Sequence, residues 1–252
     1  MRNGLKAKFE RLWGKYFPGA DLPICFYYAA EPGDAESVKA PAGHRCFIAD
    51  LARVRSGESL VFHVGSIGCF GGKRYLGFSQ ELMPNFEHFL SCGIPGKLEG
   101  ERYKKSPELV RAAFGLVPSL KAPAPFVVFK RWDNLAEADE PEVVIFFAPP
   151  DVLSGLFTLA NFDEPEPHGV IAPMGAGCAT IVQYPYLQGQ AEHPRAVLGL
   201  FDVSARPCVS PSLLTFGVPM SKFVTMVGNM EESFLITPSW AKVSRRISRL
   251  KE

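Results

Sequence analysis

Four of the six cysteines in this chain fall in a pattern. Cys46 closes the hexapeptide PAGHRC, and Cys178 closes PMGAGC. Both read Pro-x-Gly-x-x-Cys, and in both a glycine follows the cysteine by eleven residues, Gly57 in one and Gly189 in the other. A second cysteine comes after each motif, Cys69 in GCFGGKR and Cys208 in ARPCV. A tight Pro-x-Gly turn ahead of a helix puts the next cysteine in the first helical turn, where free N–H groups and the positive dipole end favour an anion. A thiol in that place is expected to ionise more readily than a free one. His44 and Arg45, beside Cys46, push the same way. Gly43 and Gly175 supply the turns, Gly177 permits a close approach to Cys178, and Gly71 and Gly72 can turn backbone N–H groups toward an anion.

Those residue types allow several chemistries. If the thiols converge, Cys46, Cys69, Cys178 and Cys208 are the expected ligands of a metal or an iron–sulfur cluster. A small anionic ligand would use the same cysteines with Gly43, His44, Gly71, Gly72, Gly175 and Gly177. Cys46 as a nucleophile or redox thiolate would instead make a thiol-dependent redox or transferase enzyme. Free cysteine is also a small hydrophobe, so the four can be equivalent core positions in a protein-interaction module without chemistry. No C-x-x-C is present and the intervals within each pair are long, so spacing does not choose among these readings. Cys25 and Cys92 have no counterpart in the pattern and read as structural. No catalytic residue set follows.

The elements that must position the cysteines can be read from periodicity and stop signals. LKAKFERLWGKYF carries Leu5, Phe9, Leu12, Trp13 and Phe17 on one helical face and stops at Pro18-Gly19. LPICFYYA and PEVVIFFAPP read as buried strands. The segment from Cys46 to Arg55 has helical spacing and ends at Gly57. SLVFHVGSIGC reads as a strand carrying His63 on the face of Cys69, and KRYLGF as a second strand. MPNFEHFLSC is a short helix, and Ser106 caps another with Pro107 at its first position. APFVVFKRW is a strand, and Asp151 is placed to cap a helix through Ala160. Cys178 to Leu187 is helical with a kink or stop at Pro185. RAVLGLFDVSA and SLLTFGVP are strands, SKFVTMVGNM is a helix, and SFLI is a brief strand. Thr237 caps a last helix with Trp240, Val243, Ile247 and Leu250 on its inner stripe.

The order Pro, Gly, Cys, helical segment, Gly, strand, Cys therefore occurs twice, with Val64 and Val203 each five residues before the second cysteine. ICFYY answers VIFFA upstream, and RYLGF answers LLTFGV downstream. This predicts an α+β fold with an internally duplicated unit, two pseudo-symmetric halves with an antiparallel or mixed sheet and packed helices. The expected organisation is a single domain over 1–252. Its first half spans about 20–120, its second about 121–236, and its C-terminal helix 238–252. Any ligand would sit between the halves.

The chain has 252 residues with 27 basic against 26 acidic side chains, enough for a full core and too balanced to argue for nucleic acid or a charged membrane as partner. The charged start MRNGLKAKFERLW lacks a secretory apolar run, and the longest apolar runs fall far short of the roughly 20 residues of a membrane span. A cytoplasmic protein is expected. GAGCAT and GGKR each lack a position that a nucleotide loop requires, and the histidines at 44, 63, 88, 168 and 193 form no ligating pair. The basic residues Lys242, Arg245, Arg246, Arg249 and Lys251 read as a solvated helix face.

LWGKYF, LPICFYY, CFIADLARVRSG and GCFGGKRYLGF together resemble the domain of unknown function 169 family, also called uncharacterised ArCR. The resemblance covers most of the chain, with Cys46, Cys69 and the glycines around them carrying much of it. It implies a soluble prokaryotic unit of about this length and brings no established activity, cofactor or catalytic residue.

Overall fold

The run VVIFFA is apolar on every residue, which suits a strand covered on both faces. In the computed structural model, which describes residues 4–249, it forms strand β5 (Val143–Ala148) near the middle of an eight-stranded sheet. The other strands are β1 (Ile24–Ala29), β2 (Glu36–Ser37), β3 (Leu60–Phe62), β4 (Phe126–Arg131), β6 (Val170–Ile171), β7 (Ala196–Gly199) and β8 (Leu214–Pro219). Their order is β2-β3-β4-β1-β5-β8-β7-β6. The outermost pairs, β2 with β3 and β6 with β7, are parallel, and all other pairs are antiparallel. The sheet is therefore mixed, and with nine α-helices among the described residues the fold is α+β.

Period-two alternation splits the core into two layers. Val144, Phe146 and Ala148 of β5 face one layer, which also holds buried residues of α1 (Leu5–Tyr16), α6 (Pro150–Ala160), α8 (Met220–Asn229) and α9 (Pro238–Ser248). Val143, Ile145 and Phe147 face the other, with α2 (Phe47–Arg55), α3 (Phe70–Tyr75) and the helical segment leading into α7 (Tyr184–Gln188). Helices α4 (Phe86–Phe89) and α5 (Pro107–Gly115) lie in the long connection between α3 and β4. The first layer is aromatic: Phe9 lies 5.0 Å from Trp132, and Trp13 stacks on Phe17 at 4.3 Å. Trp240 of α9 donates from Nε1 to the Tyr16 carbonyl at 2.9 Å, which ties α9 to α1. The expected Leu250 and Lys251 positions of the last helix lie outside the described residues.

Several expected elements take another form. KRYLGF is not a strand: Phe70 to Tyr75 is helix α3, so RYLGF is no counterpart of LLTFGV, which lies in β8. Two adjacent glycines and a capping thiol let the chain close a helical turn there. The strand after Ser59 ends at Phe62, and Val64 to Ser66 is a 3-10 turn capped by His63, whose Nδ1 accepts from the Gly65 amide at 3.1 Å. His63 therefore does not share a strand face with Cys69. SFLI is a 3-10 turn. Pro149, not Asp151, occupies the N-cap of α6, and Asp151 lies in its first turn, a favourable place for a carboxylate. No helix among the described residues is long and apolar enough to cross a membrane.

Gly155, inside α6, marks where three elements meet. A methyl group there would stand 2.4 Å from the Trp240 ring and 2.7 Å from that of Phe17. Alanine gains about 1 kcal/mol of helix propensity over glycine, whereas overpacking costs about 1–3 kcal/mol. Both rings are locked in the aromatic layer, so overpacking wins. Gly155→Ala is expected to lower unfolding stability by about 1–2 kcal/mol in urea. Gly14→Ala, in α1 with open space around it, should raise stability by up to about 1 kcal/mol.

Candidate functional site

Cys46 is the N-cap of α2, in extended backbone conformation. It thus sits one position ahead of the first helical turn, its side chain makes no cap hydrogen bond, and its carbonyl accepts from the Ala49 amide at 3.1 Å. Cys69 is the N-cap of α3, and its sulfur accepts from the Gly72 amide at 3.2 Å. Cys69 therefore does not end a strand. Cys178 precedes a π-helical turn, Ala179–Gln183, that runs into α7. Pro185 explains the widening: it offers no amide to the carbonyl four residues back, and a wide turn is a common solution. Cys208 closes a 3-10 turn, Arg206–Cys208, rather than a strand.

The sulfurs of Cys69 and Cys178 both approach the first turn of α3. Cys208 lies near enough to Cys46 to disfavour its ionisation. Cys69 feels Cys46, and Cys178 feels both Cys69 and Cys46. All four pack in the same layer of the core. Cys178 is buried, while Cys46, Cys69 and Cys208 are half-buried. Cys25 lies in the opposite layer, fully buried, as a structural cysteine would, and Cys92 is exposed.

Glycines make these close approaches possible. A side chain at Gly68 would strike Pro41 at 2.5 Å, so this glycine lets the loop before Cys46 press onto the chain before Cys69. A Cβ at Gly72 would lie 2.8 Å from Cys69 Sγ, and one at Gly71 3.7 Å from Cys178 Sγ. The first turn of α3 thus threads between two sulfurs on bare backbone. Gly177 meets Ile48 at 2.5 Å and donates its amide to Asp202 Oδ2 at 3.0 Å. Gly43 and Gly175 have no comparably tight neighbour, and His44 is exposed. Asp202, Tyr103 and Gly68 were absent from the sequence reading. Tyr103 donates to Asp202 Oδ1 at 2.9 Å, a contact across 99 residues that no local pattern announces.

Electrostatics corrects the expectation of an activated thiolate. Burial pushes the Cys46 thiol above its ordinary value, and the amides of Ile48 and Ala49 only partly offset this. Cys69 is raised for the same reason, and Cys178, fully enclosed, is raised further. Arg45 does not serve Cys46, because its guanidinium rests on the buried carboxylate of Asp50. Desolvation outweighs the helix-terminus effect here. Among the described residues no group of three or more His, Cys, Asp or Glu side chains is placed to hold a single metal ion. The cavity beside Cys46, lined by Arg45, Phe47, Asp50 and Ile67, has about 180 Å³ of empty space. That is below the roughly 300 Å³ of the smallest organic-ligand pockets.

A raised thiol is a poor nucleophile at neutral pH, because less of it is ionised. Alkylation of Cys46 by iodoacetamide in the metal-free protein, mapped by mass spectrometry, is expected to run slower than that of a free cysteine. Its rate should keep climbing with pH beyond about 8.5, where a free thiol is half ionised. A plateau near neutral pH would restore the nucleophile reading.

No curated protein and no solved structure matches this chain. The family model for DUF169, uncharacterised ArCR, matches residues 21–229, which takes in both Pro-x-Gly-x-x-Cys turns and Cys46, Cys69, Cys178 and Cys208. The chain belongs to the DUF169 family, uncharacterised ArCR.

Proposed function

We propose that this protein holds an iron–sulfur cluster on Cys46, Cys69, Cys178 and Cys208 and uses it to accept and pass on single electrons. The observation that carries this reading is that four thiols from distant parts of the sequence pack in one layer of the core, three of them only half-buried. Purely structural cysteines belong in the core, as Cys25 does. A single zinc ion demands sulfurs about 3.8 Å apart, given tetrahedral bonds of about 2.3 Å. A cluster interposes its own iron and sulfide, so its cysteine sulfurs stand wider.

The surroundings fit the same chemistry. The Cys69 sulfur accepts a backbone N–H bond from Gly72, and Lys73 lies close enough to Cys69 to favour its charged form. Such donors stabilise thiolate ligands and set a cluster's potential. Ligation to iron removes the thiol protons that burial otherwise retains.

We also infer an ancestral duplication. The strand order reads alike from both edges, with the parallel pair outermost each time. Each Pro-x-Gly-x-x-Cys turn lies between the second strand of a four-strand block and the helical segment before the third. On this reading the first block ends after β4, not near 120.

Anaerobic reconstitution with iron and sulfide tests the cluster. Broad visible absorption, with iron and acid-labile sulfide in equal amounts, is expected. Cys46→Ser, Cys69→Ser, Cys178→Ser and Cys208→Ser should each lose most of the colour, and Cys92→Ser should keep it. A colourless chain with all four thiols still free would remove the proposal.

A further inference from the structure

Two of the half-buried thiols, Cys46 and Cys208, are carried by segments from opposite ends of the chain that meet over Gly177. A Cβ at Gly177 would stand 2.5 Å from Ile48 Cδ1 and 3.0 Å from Ala205 Cβ. Ile48 lies in the first turn of α2, whose N-cap is Cys46. Ala205 is the N-cap of the 3-10 turn that Cys208 closes, and its carbonyl accepts from the Cys208 amide at 3.0 Å. That turn is anchored on both sides. Asp202 accepts from the Gly177 amide through Oδ2 and from the Ala205 amide through its carbonyl at 3.1 Å. The Arg206 guanidinium donates to the Pro211 carbonyl at 2.7 Å, on the chain leading into β8.

Cys46 and Cys208 are thereby neighbours, and both pack against the same layer of the core. The other two thiols of the pattern are placed differently. Cys178 is buried, and its sulfur and that of Cys69 lie against the first turn of α3. The Cys69 sulfur is engaged by the Gly72 amide at 3.2 Å, whereas the Cys46 side chain makes no cap hydrogen bond. The Cys46 thiol is therefore not tied to its own helix, and it and Cys208 are both within reach of small solutes. A thiol pair of this kind, drawn from segments fixed by their own contacts, has covalent pairing open to it.

We propose that Cys46 and Cys208 form a reversible disulfide when the iron-free chain meets a low-molecular-weight disulfide such as oxidised glutathione. One protein thiolate attacks a glutathione sulfur and expels the first glutathione thiolate. The other attacks the protein sulfur of the mixed disulfide and expels the second. One protein S–S bond replaces one glutathione S–S bond, and the two thiol protons pass to the departing glutathiones. The bond staples α2, which lies between β2 and β3, to the turn between β7 and β8. It thus crosses from one four-strand block to the other, which the sheet itself joins through only three residue pairs of β1 and β5. This pairing does not rest on the cluster reading, because it concerns the chain without iron.

The test incubates the full iron-free chain anaerobically with oxidised glutathione at about pH 8, then digests it with trypsin without reduction. Trypsin leaves Cys46, Cys69, Cys178 and Cys208 in four separate peptides, so mass spectrometry assigns each link. A peptide pair joining Cys46 to Cys208 is expected, with two of the six thiols lost and both regained in dithiothreitol. Its formation should quicken with rising pH, because burial keeps the Cys46 thiol protonated near neutrality. A crosslink that closes a loop of about 160 residues should raise the urea midpoint of the oxidised chain by about 1 M. Cys208→Ser should show neither the link nor that gain, and Cys92→Ser should show both. A chain whose thiols stay free, whose glutathione adducts never resolve into a link, or whose Cys46 joins Cys69 instead would overturn the assignment. No readout here involves iron or sulfide, so failure of the disulfide and failure of the cluster are read apart.

Discussion

Three residue pairs hold the two four-strand blocks in one sheet: Ile24 with Ile145, Cys25 with Val144, and Phe26 with Val143. Everything about the sulfur site depends on that short antiparallel seam. The side-chain period of a strand is two, so a one-residue slip would turn one block over relative to the other. In the observed register Ile24, Phe26, Val143 and Ile145 share a layer with Cys46, Cys69, Cys178 and Cys208. The seam is well specified because β5 is apolar on both faces and buried along its length, and the first half of β1 is equally enclosed. A slipped register would also bring Cys25 and Val144 out of the aromatic layer.

The opposite layer acts as the foundation. The rings of Phe9, Trp13, Phe17, Trp132, Phe146 and Phe223 contact one another, and α9 closes over them through Trp240. Farther along the sheet on this side, Lys130 lies buried and pairs with Asp139 at 3.0 Å and Asp34 at 2.8 Å, while Tyr27 donates to Asp139 at 2.5 Å. A buried ion pair is weak evidence for stability, but breaking it leaves a costly lone charge. The arrangement fixes the loop after β1 and the connection before β5, the two strands of the seam.

Much of the fold was legible in the sequence because its signals are local. The stripes of α1 and α9, the caps at Ser106 and Thr237 and the apolar strands β1 and β5 follow from spacing within a dozen residues. The misreadings have one cause. KRYLGF has strand-like composition, yet Gly71 and Gly72 with the Cys69 cap fold it as a helix against Cys178, a contact across more than a hundred residues. The pairing of cysteines within the repeat is a local pattern that singles out four residues. It misjudged their ionisation, because the helix-terminus argument is local and desolvation is not. Tyr103 and Asp202 were invisible for the same reason.

The wide turn after Cys178 lies directly on backbone. Gly199 of β7 leaves a Cβ only 2.5 Å from Thr180, and Gly217 of β8 one only 2.6 Å from Pro185. Thr180 Oγ1 donates to the Gly177 carbonyl and accepts from the Leu200 amide. No layer of side chains stands between this arm of the site and the sheet, so rotamer changes have little room to absorb a displacement of Cys178. Movement there passes straight into the β7–β8 ladder, and the sulfur is mounted as stiffly as the ladder itself.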